Sequence, residues 1–201
     1  MTIFLLGIIT SMAFTFMWSQ SNGIEIADDR AKAQSDARFV VELISRELRQ
    51  AQQRLLGDES GLVEYLDHDT IRFYTDRDAD GDPEKVEYYV DDISGTGTFE
   101  LRRRVWEPDA GSGPSWTYPV TPSTETALAA RVLSAPGSSP GYTQQLFVGE
   151  EVTTGAVIAT CSTPVTCNFD RVRMNLVFEV PATPDFTYEI TQTTTFRNPH
   201  D

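Results

Sequence analysis

The start of this chain constrains it most. Residues 1–19 (MTIFLLGIITSMAFTFMWS) carry no charged side chain, and nearly all are apolar or small. About 18 helical residues at about 1.5 Å each reach about 27 Å, close to the hydrocarbon thickness of a bilayer. A cleaved signal peptide would show a basic n-region and a small-residue cleavage site. No Lys or Arg precedes this run, and no A-x-A pattern closes it. A buried core helix is usually shorter and has a polar face. Trp18 stands where an interfacial aromatic belongs. The segment therefore reads as a transmembrane anchor. The first charges after it are Glu25, Asp28 and Asp29. The positive-inside rule gives no reason to hold that end in the cytoplasm, so the bulk of the chain is expected outside.

A helical pattern continues from Ile24 to about Leu56. Ala37, Val41, Ile44, Leu48, Ala51 and Leu55 follow at alternating steps of four and three, which makes one apolar stripe. Arg38–Glu42 and Glu42–Arg46 are i,i+4 pairs on the solvated side. Gly57 and Asp58 are the expected stop. Ser21-Asn22-Gly23 is expected to bend or melt the rod between its two halves.

After residue 60 the period turns from helical to alternating. Thr70–Thr75, Lys85–Val90 and Thr98–Trp106 are strand candidates, and their short links suggest an antiparallel meander. Residues 107–125 and Pro136–Gly141 read as loops, and Thr126–Leu133 is ambiguous. Gln145–Val148, Ala156–Thr160, Arg171–Val180 and Phe186–Phe196 read as further strands. In Arg171–Val180, Val172, Met174, Leu176 and Phe178 alternate with more polar residues, as on a half-buried strand. The fold class is α+β: a long N-terminal helix, membrane-spanning in its first half, packed on an antiparallel β-sheet. Three parts follow: 1–20, a membrane or filament-core segment; 21–57, its amphipathic continuation; and 58–201, an extracytoplasmic β-rich domain.

Charge narrows the partners. The net charge is −14, from 30 acidic against 16 basic residues, which disfavours nucleic acid. The one basic cluster, Arg102-Arg103-Arg104, reads as a strand segment with a solvated face. Two cysteines, Cys161 and Cys167, are too few for a disulfide scaffold or a four-ligand zinc site. They fit a single disulfide pinning a loop in an exported domain; the alternative is a pair of free thiols.

Asp76, Asp78, Asp80, Gly81, Asp82, Glu84 and Glu87 match the calcium-loop spacing D-x-D-x-D-G-x5-E. Carboxylates at alternate positions can converge on one ion, Gly81 permits the sharp turn, and Glu87 would close the site. The flanks read as strands rather than helices, and Pro83 follows the seventh position, so this is no ordinary EF-hand. Either Ca2+ relieves the crowding of like charges as a structural staple, or the acids are simply solvated.

Several stretches carry a resemblance. MTIFLLGIITSMAF resembles the pilin helix just downstream of its processing site, and ARFVVELISRELRQA resembles the second half of that helix. IRFYTDRDADGDPEKVEYYV looks like the acidic hairpin, and RVRMNLVFEV with TQTTTFRN resembles the closing strands. Together they resemble type IV pilins and type II secretion pseudopilins, of the larger minor kind. The family's leader, its cleavage-site glycine and its Phe-Thr-Leu-x-Glu start are not in this sequence, so Met1 is expected to be an internal methionine of the helix. The resemblance implies a structural subunit that leaves the membrane to pack its helix with sister subunits in a filament. The alternative is a membrane-tethered calcium-binding adhesion module that forms no filament.

Enzyme signatures are missing. No G-x-S-x-G, H-E-x-x-H or Walker loop occurs. His68 and His200 stand alone, and the acidic cluster lacks the apolar burial that separates two pKa values for acid–base work. The expectation is a protein that is not an enzyme; a third reading is an exported enzyme with an unrecognised site.

Overall fold

The computed structural model describes residues 2–51, 62–92, 99–109, 116–133, 145–163, 167, 169–180 and 183–196. Its side chains are described except at 2–6, 8, 9, 180 and 183–186.

Helix α1 runs unbroken from Thr2 to Arg49, 48 residues. At about 1.5 Å per residue it is about 72 Å long. The backbone stays helical through Ser21-Asn22-Gly23, so the expected local melting does not occur. One helical glycine costs only about 1 kcal/mol, too little to end a helix of this length. At the other end the turn tightens: Gln50 N donates to the Arg46 and Glu47 carbonyls at 3.2 and 3.0 Å. Arg46 and Arg49 fall in the last turn, where cations suit the helix dipole. Ala51 has left the helix and bridges to Thr75. The expected stop at Gly57, and Leu55 of the stripe, lie outside the described residues.

Among the described residues nine strands follow, in two antiparallel sheets rather than the single sheet expected. β1 (Val63–Leu66), β2 (Thr70–Thr75), β3 (Glu84–Asp92), β4 (Phe99–Trp106) and β5 (Thr124–Ala130) form a meander in chain order. β6 (Phe147–Glu150), β7 (Val157–Ile158), β8 (Arg171–Val180) and β9 (Thr183–Thr195) form the second sheet, ordered β7-β6-β8-β9. β1 has no counterpart among the expected strands, and the ambiguous stretch near Thr126 is β5. Backbone bridges stitch the sheets together. Leu66 pairs with Cys161, and Val132 pairs with Phe178 just after β5 ends.

The stripe on α1 is covered by this chain's own sheets. Ala37, Ile44 and Leu48 are fully buried, and Val41 and Ala51 nearly so. They share a core with Ile71, Phe73, Val86 and Leu101 of the first sheet and Val172, Met174 and Leu176 of the second. Gly149, in the middle of β6, leaves room for the Phe169 ring; a Cβ there would meet it at 2.6 Å.

The first half of α1 has no such cover. Met12, Phe14, Phe16, Met17 and Trp18 are 63–69% exposed. Among the described residues no helix is long and apolar enough to cross a membrane. The side chains of residues 2–6, 8 and 9, the most apolar part of the head, lie outside them.

One buried carboxylate joins α1 to the first sheet. Glu47, 4% exposed, accepts from the Tyr88 hydroxyl at 2.5 Å and from Arg103 Nη2 at 2.7 Å and Nε at 3.1 Å. Burial first, and the Glu47 charge beside it, hold the Tyr88 hydroxyl well above its ordinary pKa. It therefore stays protonated and donates. Arg103 thus points inward, off the solvated face expected of this strand. Its neighbours Arg102 and Arg104 point out, because successive strand residues face opposite sides. On that outer face Arg72, Glu87, Arg104 and Glu125 stand opposite one another across four strands, as a ladder of alternating charge.

Glu47→Ala leaves Arg103 buried without its counter-charge and is expected to cost about 3 kcal/mol or more. Arg104→Ala, on the exposed ladder, is expected to cost less than about 1 kcal/mol. Chemical denaturation of the two variants measures the contrast, and equal losses would refute the central role given to Glu47.

Candidate functional site

The acidic segment forms the tip between β2 and β3. Its backbone takes left-handed φ at Ala79 (61°) and Gly81 (96°), which folds the chain back within a few residues. Side-chain carboxylates then collect the backbone N–H groups. Asp78 Oδ1 accepts from Asp80 N at 3.3 Å, Asp80 Oδ1 from Asp82 N at 2.8 Å, and Asp76 Oδ2 from Gly81 N at 3.2 Å. This local hydrogen bonding is what Asp offers a turn.

The turn brings Asp76, Asp78 and Asp80 together. Each places a carboxylate oxygen within 4.8 Å of the other two. Asp76 is half-buried while Asp78 and Asp80 are exposed. Asp76 Oδ1 is buried and accepts no hydrogen bond. A buried anionic oxygen without a donor is costly, and a cation supplies what it lacks. The three aspartates can bind a metal ion.

The other expected ligands stand differently. The converging group comprises the three aspartates and includes neither Asp82, Glu84 nor Glu87. Glu84, 2% exposed, turns inward and accepts from Arg77 N at 2.8 Å. Glu87 is drawn off to the outer face, where Arg72 Nε donates to it at 2.8 Å and Arg104 lies 3.5 Å away. The reason is the period of the flank. A twelve-position loop closes its cage when a helix follows, but β3 already begins at Glu84. Three strand residues carry Glu87 about 10 Å onward and onto the opposite face.

The tip is clamped on two sides. Arg77 Nε lies 3.9 Å from Glu47 Oε1, so the loop touches the carboxylate that holds α1. On the other side Tyr118 donates to the Pro83 carbonyl at 2.5 Å. Lys85 Nζ sits 4.5 Å over the Trp106 ring and 5.3 Å from that of Tyr118, which tilts against Tyr74. Sequence reasoning missed this clasp, because the long segment between Trp106 and Tyr118 hides their proximity.

Cys161 and Cys167 form a disulfide, with Cα atoms 5.3 Å apart and both side chains buried. Cys161 also exchanges two backbone hydrogen bonds with Leu66, at 2.8 and 2.9 Å. The crosslink thus fixes the segment that pairs with β1. His68 is half-buried; its carbonyl accepts from Leu146 N at 2.7 Å, and its Nδ1 is buried without a hydrogen-bond partner. His200 lies outside the described residues.

Two predictions follow from this geometry. Burial raises the Glu84 pKa, with the Glu107 and Asp78 charges adding to it. A carboxyl raised in the folded state costs nothing below its unfolded value of about 4.3 and penalises folding as pH climbs through the folded value. Glu84→Gln keeps the acceptor for Arg77 N and removes that penalty. Its melting temperature is expected to exceed the wild type's by a margin that grows from pH 4 to pH 7, read by thermal scans without added metal. Reducing the disulfide, which links residues 6 apart in sequence, is expected to cost about 2 kcal/mol. Denaturation with and without a reductant measures it.

Compared with known proteins, the chain matches no family model, no curated protein and no solved structure.

Proposed function

We propose that this chain is a filament subunit of the type IV pilin or pseudopilin kind. The head of α1 holds it in the membrane until its apolar side chains pack with those of sister subunits, and the β domain faces outward. The observation that carries this reading is α1 itself. From Ala37 onward one face is buried in the chain's own core, while Met12, Phe14, Phe16, Met17 and Trp18 stay largely exposed. Such a surface is stable in water only when covered. Lipid and a bundle of like helices both provide cover. The head is also prepared for an apolar medium: Thr10 and Thr15 donate to carbonyls of their own helix, of Gly7 at 3.1 Å and Ser11 at 2.9 Å.

Cysteine crosslinking in membranes tests the packing. Both native cysteines are joined to each other, so an introduced thiol reports alone. Phe16→Cys is expected to give crosslinked dimers on oxidation, and Ile44→Cys, buried in the domain, is expected to give none. A Phe16→Cys protein that extracts as a water-soluble monomer would remove the proposal. A membrane-bound Phe16→Cys protein without crosslinks would leave the tethered-module reading in its place.

Within the same reading the aspartate tip holds Ca2+ as a staple. An oxygen-only group of three carboxylates suits calcium, which accepts irregular coordination, better than magnesium, which demands a near-ideal octahedron. Calcium is expected to raise the melting temperature of the wild type. Asp80→Asn keeps the acceptor for Asp82 N but loses a charge, and it is expected to abolish most of that rise. A wild-type protein whose melting ignores calcium would end this part of the proposal.

A further inference from the structure

We draw no further inference here: the strongest candidate, the apolar groove between α1 and β9 lined by Gly23, Ile26, Ala27, Ala31 and Tyr188, belongs to the helix packing already proposed, and nothing in the structure shows what covers it.

Discussion

The fold turns on a single carboxylate. Glu47 sits on the buried face of α1 between Ile44 and Leu48, where an apolar residue would be the ordinary choice. Its charge is retained because Arg103 meets it with two nitrogens and Tyr88 adds a third donor. Such a group adds little net stability over a well-packed hydrophobe, but it is unforgiving of misplacement. Helix rotation or strand slip by one residue would strand a buried charge. The network therefore fixes how α1 lies on β3 and β4. A lighter contact fixes the other side, where the Thr194 hydroxyl donates to Ser45 Oγ at 2.9 Å. With both in place the helix is held between two sheets.

The outer face of the first sheet follows the opposite logic. Its charges are paired across strands at the surface, where each pair is worth little alone. Their use is in register. Arg72, Glu87, Arg104 and Glu125 alternate in sign over four neighbouring strands, and a slip would set like charges against each other. Tyr89 is drawn into the same face: burial and its hydrogen bond to Glu125 raise its pKa to about 12. Arg104 stacks over its ring at 4.0 Å.

Much of this was legible in the sequence, because it rests on period. The stripe from Ala37 to Leu48, the alternation in β8 and the strands flanking the acidic tip all repeat over enough residues to read. What failed to read depends on contacts across the chain. β1 is four residues long and is held by pairing with β2 and with Cys161, which no local pattern announces. The split into two sheets, bridged where Val132 pairs with Phe178 just past β5, is a matter of topology. At the acidic tip the spacing rightly brought three aspartates together. Glu87 stands apart from them, because the same twelve-residue rule has a different reach on a strand. Glu47 left only a faint trace, as a charge flush with an apolar stripe.

Ser45 and Thr194, which touch in the finished domain, are 149 positions apart in the chain. The helix is synthesised before the strand that completes its cover, β9. Until β9 arrives, one flank of the buried face on α1 lies open. Local helix formation is fast, and closing so long a span is slow. Apolar surface left open over such an interval is the kind that favours aggregation.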